Sequence, residues 1–139
     1  MERVSFTLTS EPFVYSGTEL EAMAEARNYC QWILRYFAPH LGGNIVEIGA
    51  GSGTFSQLLL DRKNTVHLVL FEAAVNLLPF LRQRFTDPRV QLHGGPFDPA
   101  ELTQSPDSVV LVNVLEHVRD DNLLLSQIHA ASLAGSRPE

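Results

Sequence analysis

One cysteine in 139 residues, Cys30, leaves no partner for an intrachain disulfide and no thiolate set for a metal cluster. Such a chain fits a reducing cytoplasm. Basic residues are also few: ten lysines and arginines against sixteen acids give a formal net charge of −6. The arginines are scattered, and Arg62 and Lys63 are the only adjacent basic pair. There is therefore no electrostatic footprint for nucleic acid or for an anionic membrane. The amino-terminal MERVSFTLTSEPF lacks the uninterrupted apolar core of a signal peptide, and no stretch approaches the length of a membrane span. The expectation is a soluble, cytoplasmic chain. No internal repeat or low-complexity segment interrupts it. What is present, at 45% hydrophobic composition, suffices for one compact domain and is too short for two.

Strand and helix patterns alternate four times. Thr18 to Ala38 reads as a helix, with capping-box spacing at Thr18 and Glu21 and a stripe through Leu20, Met23, Ala24, Arg27, Cys30, Ile33, Leu34 and Phe37. Pro39 ends it. Ile45 to Ile48 is a short strand, Thr54 to Leu60 a helix, and Thr65 to Phe71 a second strand. Asn76 to Phe85 returns to helical spacing, with Pro79 tolerable in or near the first turn. Arg89 to His93 is a third strand, and Gly94 to Pro106 a long surface connection dense in turn residues. Ser108 to Leu115 is apolar at almost every position, as in a strand buried on both faces. A last helix from about Asp121 to Leu133 carries the stripe Leu124, Leu125, Ile128 and Ala131. The economical architecture is an α/β fold with a parallel sheet and right-handed crossovers.

In such a sheet ligands bind beyond the carboxyl ends of the strands, beside the first strand-to-helix turn. That turn holds Gly49, Gly51 and Gly53, where the missing side chains would let the backbone approach a bound group and adopt positive φ. A ligand-free tight turn would need only one of them. A P-loop is excluded because Thr54 and Phe55, not a lysine and a hydroxyl residue, follow Gly53. The dinucleotide fingerprint fits poorly, since Thr54 stands where its third glycine belongs.

The pattern that does fit is E/D-x-G-x-G-x-G, at Glu47, Gly49, Gly51 and Gly53. Glu72 ends the second strand in HLVLFE, and DSVVLVNVLEHVRDD runs from Asp107 to Asp121. Together with ARNYCQWI, from Ala26 to Ile33, these motifs make the chain resemble the class I S-adenosylmethionine-dependent methyltransferases, in the small-molecule subgroup that carries "VLEH". The resemblance covers nearly the whole chain. It implies a Rossmann-like open parallel sheet flanked by helices, with the first four strands ordered 3-2-1-4. Residues 1–139 would form a single domain, with a leading segment and helix over 1–40 and the cofactor-binding core over 41–139.

The resemblance also implies residue roles. The loop with Gly49, Ala50, Gly51 and Gly53 would face the methionine part and ribose of S-adenosylmethionine, which leaves as S-adenosylhomocysteine. Glu47 would orient the loop and the cofactor amino group; its alternative is to cap the following helix. Glu72 would accept hydrogen bonds from the ribose hydroxyls. Asn113 would lie beneath the methyl-bearing end, or hydrogen-bond a loop instead. His117, next to Glu116, is the candidate general base, against a structural helix-start role. Tyr29 would line the pocket, while Cys30 would be packed and inert. No metal is expected, because Asn113 occupies the position where an acid ligand would stand and His40, His67, His93 and His129 show no ligand spacing.

Two departures from the family pattern matter. HGGPFD has Gly95 where relatives often have an acid near the adenine, so Asp98 or a backbone group would take over that contact, or the adenine would be held mainly by apolar packing against Phe97. The chain also stops about where a fifth strand of the usual seven would begin, which implies a truncated domain. The fourth strand would then be an exposed edge, hidden by further chain or by a second copy in a homodimer. The acceptor, by elimination, is a small molecule. Two other functions compete: a noncatalytic module with the same fold, and an NAD-dependent oxidoreductase.

Overall fold

The computed structural model describes residues 27–133. Helix α1 (Arg27–Phe37) runs into a 3-10 turn (Ala38–His40) at Pro39. Strand β1 (Asn44–Ile48), helix α2 (Thr54–Leu60) and strand β2 (His67–Glu72) follow. A 3-10 turn (Val75–Leu77) leads into α3 (Leu78–Arg84), then β3 (Val90–Gly94), a 3-10 turn (Pro99–Glu101) and β4 (Ser108–Leu111). The last elements are a 3-10 turn (Leu115–His117) and α4 (Asp121–Leu133). The expected capping box at Thr18 and Glu21, and the leading-helix residues before Arg27, lie outside the described residues.

The four strands form one parallel sheet in the order β3-β2-β1-β4, as expected. Alternation along the central strands divides the core in two. Ile45, Leu68 and Leu70 pack with Cys30, Phe55, Leu58, Leu59 and Leu81 from the three helices on one face. Val46, Ile48, Val69 and Phe71 pack with Phe97, Val114, Leu124 and Ala131 on the other. β1 and β2 end in register, Ile48 opposite Phe71, so the turns after them open side by side.

Several expectations need correction. β4 stops at Leu111 rather than Leu115, because its sole partner among the described residues, β1, ends at the paired residue Ile48. Beyond it Asn113 takes φ 55°, a left-handed conformation that asparagine tolerates better than most residues. The strand is not buried on both faces either: only Val110 of its four residues is buried, as befits an edge. In α4, Leu125 is 46% exposed while Leu124 and Ala131 face the core. The 76–85 helix begins as a 3-10 turn at Val75 and becomes α-helical at Leu78, which puts Pro79 in the first turn, where its missing N–H costs nothing. The 94–106 connection is not wholly superficial, since Phe97 turns inward against Phe71, ring centroids 5.1 Å apart.

Candidate functional site

β1 delivers the chain into a turn whose three glycines all have positive φ: 80° at Gly49, 61° at Gly51 and 86° at Gly53. Gly49 and Ala50 donate to the Phe71 carbonyl (2.8 and 3.2 Å), extending the β1–β2 pairing into the loop. Gly53 then caps α2 with its backbone alone. A Cβ on Gly49 would lie 2.6 Å from Cγ2 of Val114, and one on Gly53 would lie 2.6 Å from Cε2 of Phe85. These two glycines therefore make room first for the protein's own side chains, from the turn after β4 and the end of α3. Sequence reasoning missed both neighbours, because nothing local to the loop encodes what crosses over it.

Two carboxylates underlie the turn. Glu72, 6% exposed at the end of β2, accepts from the Gly51 N–H at 2.7 Å through Oε1 and from the Ala74 N–H at 2.8 Å through Oε2. One side chain thus latches the glycine loop to the loop after β2. Burial pushes its acidity to weaker values, and the backbone N–H groups pull the other way. Glu47, two residues before Gly49 and 2% exposed, accepts from the Ser56 hydroxyl in the first turn of α2. It does not cap the backbone of α2. Burial, opposed by the Ser56 bond and reinforced by the Glu72 charge, raises its pKa to about 8. The Cys30 thiol of α1 is 2% exposed, and its pKa is raised by burial and then by the Glu47 charge, so it is packed as expected. Among the described residues no basic side chain is paired with either carboxylate.

The other predicted positions spread around this centre. Asn113 sits in the turn between β4 and the Leu115–His117 3-10 turn. His117 places Nε2 3.7 Å from Glu116 Oε1, while its buried Nδ1 has no partner among the described residues. Asp98 accepts from the Ala100 N–H and caps its own 3-10 turn, and Phe97 is buried on Phe71. Tyr29, 43% exposed on α1, stacks on Trp32. Trp32, Ile33, Tyr36 and Phe37 face Leu111, Val112 and Asn113 across a groove of about 370 Å³. Arg84, which no sequence signal singled out, donates from Nη1 to the Ser52 carbonyl (3.0 Å) and ties α3 to the glycine loop.

A family model described as a methyltransferase domain matches residues 14–135. The chain belongs to the methyltransferase-domain family. A malonyl-[acyl-carrier protein] O-methyltransferase from Acetivibrio thermocellus is 30% identical over 67 residues, covering 48% of this chain and 24% of that protein. Among solved structures, an S-adenosylmethionine-dependent methyltransferase from Mesorhizobium loti superposes with a TM-score of 0.59 at 23% identity, covering 81% of this chain and 49% of the other. The magnesium protoporphyrin IX methyltransferase of Synechocystis, with bound S-adenosylhomocysteine, gives 0.59 at 13% identity, covering 88% and 58%. At these identities the likeness is one of fold. The chain spans about half the length of these solved methyltransferases. No helix among the described residues is long and apolar enough to cross a membrane.

Proposed function

We propose that the chain binds S-adenosylmethionine over the glycine loop and is the cofactor-holding part of an enzyme that methylates a small-molecule acceptor. The observation that carries this reading is the Glu72 latch: a buried carboxylate at the end of β2, directly beside the positive-φ turn that follows β1. The donor set suits this ligand. An acid at the end of β2 can grip a ribose of either cofactor, whereas Thr54 in place of the third fingerprint glycine, and the lack of a basic side chain on Glu47 or Glu72 among the described residues, favour a phosphate-free nucleoside carrying positive charge over the pyrophosphate of NAD. When bound, that cofactor supplies a methyl group already activated on a sulfonium.

The chain's own residues then hold and orient. The backbone N–H groups that Glu72 accepts leave its carboxylate with further acceptor capacity for the ribose hydroxyls. Glu47 would face the amino group and Asn113 the reacting end, with Tyr29, Phe97 and Asp98 as further cofactor contacts. His117, whose Nδ1 is buried without a partner among the described residues, would be the group that removes a proton from the acceptor where one must leave. The family match over 14–135 supports one domain across the chain. The outer edge of β4 is where a second copy would pair in a homodimer. The cytoplasm is the compartment proposed.

Thermal unfolding with and without ligand tests the reading. S-adenosylmethionine at a hundred times its dissociation constant should add about 2.7 kcal/mol and raise Tm by several degrees, whereas NAD should leave it unmoved. The reverse order of the two ligands would transfer the chain to the oxidoreductases. Transfer of labelled methyl to any acceptor then separates an enzyme from a noncatalytic module.

A further inference from the structure

Among the described residues Glu47 is the one buried acid that the latch does not use. It lies on the middle of the sheet, in register with Leu70 of β2 and Val110 of β4, neither of which titrates. Among the described residues, the polar or titratable groups set against it are Ser56 from α2, Cys30 from α1 and Glu72 from the end of β2, and none of these is a cation. A carboxylate in such a place has no compensating charge until something positive arrives in the loop above it.

We propose that the site takes up its positively charged ligand in exchange for a proton: the Glu47 carboxyl is uncharged in the free chain and ionises when the ligand binds. The inference rests on the cofactor reading above and deepens it by naming how the charge of the ligand is recognised. The O–H bond of the carboxyl breaks, the oxygen keeps the electron pair, and the proton passes to the buffer. No covalent bond to the ligand forms. Burial raises the pKa of the free carboxyl to about 8, so it favours the protonated form at pH 7. A neighbouring positive charge stabilises the ionised form and draws that value down. Because the same linkage acts in both directions, affinity for the cation should rise with pH until Glu47 is ionised in the free chain as well, and then level off.

Calorimetric titration of the full chain with S-adenosylmethionine at pH 7, run in phosphate and in Tris, reads this directly, since the two buffers take up a released proton with very different heats. The expected result is an apparent binding enthalpy that differs between the buffers by most of one proton per ligand, and a difference that disappears in Glu47→Gln. Equal heats in the two buffers for a ligand that does bind would overturn the proton exchange while leaving the cofactor reading intact. A buffer difference that persists in Glu47→Gln would place the proton elsewhere and overturn the assignment. Absence of saturable binding in either buffer would overturn both. Should Glu47→Gln fail to fold, the Glu47 carboxyl carbon of the wild-type chain, followed by NMR, should show a titration midpoint above pH 7 that falls on saturation; a midpoint that ligand does not move would contradict the exchange.

Discussion

Glu47→Gln should flatten the pH dependence of folding stability and leave the variant more stable than the wild type at pH 8. The sign follows from the burial of the acid. In the unfolded chain Glu47 ionises near its ordinary value of 4.5, whereas in the folded chain it holds its proton to about 8. Below 4.5 both states are protonated and Glu47 adds no pH dependence. Between 4.5 and 8 the unfolded state alone ionises, so stability falls by about 1.4 kcal/mol per pH unit, a total of roughly 3 to 5 kcal/mol. Glu72, also raised, acts in the same direction. Asp87 is lowered by its bonds to Arg89, so its contribution is lost only as pH falls through the acid range, outside this window. Glutamine keeps an acceptor for the Ser56 hydroxyl and removes the ionisation. Urea unfolding at pH 5, 6, 7 and 8 would show it; parallel curves for variant and wild type would contradict a protonated Glu47.

Gly49→Ala should be strongly destabilising, and Val114→Ala should partly rescue it. An alanine at φ 80° pays the left-handed penalty, and its Cβ would meet Val114 Cγ2 at 2.6 Å. Strain and overpacking together should cost about 2 to 5 kcal/mol. Val114→Ala is destabilising by itself through lost packing, yet it clears the space beside residue 49. The double variant should therefore be more stable than the summed single effects by about 1 kcal/mol or more. Strict additivity by denaturant unfolding would mean that the two residues do not meet.

That contact shows where sequence reasoning stops. Elements bounded by clear punctuation were legible to the residue: Thr54–Leu60 after Gly53, and Asp121–Leu133 after a run of charges. The alternation of strands and helices gave a parallel sheet, while its order was implied by the family resemblance that the glycine, Glu72 and "VLEH" motifs carry. The end of β4 was not legible, because an apolar run continues to Leu115 while the strand lasts only as long as its β1 partner. For the same reason the glycines could be read as special backbone positions, but the residues opposite them, Val114 and Phe85, arrive from elsewhere in the chain. Glu47 was visible as an acid in an apolar strand; that its neighbours among the described residues would be Cys30, Ser56 and Glu72, and no cation, depends on three other elements. Arg84 on Ser52 left no trace in any pattern.

The central claim is that the Glu72-latched glycine loop holds S-adenosylmethionine. Equilibrium titration of the wild-type chain beside Glu72→Ala tests it most directly, with circular dichroism confirming that both are folded. Saturable binding by the wild type, weakened in the variant by roughly 2 to 4 kcal/mol or about 30- to 1,000-fold, is the predicted result. A folded wild-type chain that does not bind, or a folded Glu72→Ala that binds equally well, would contradict it.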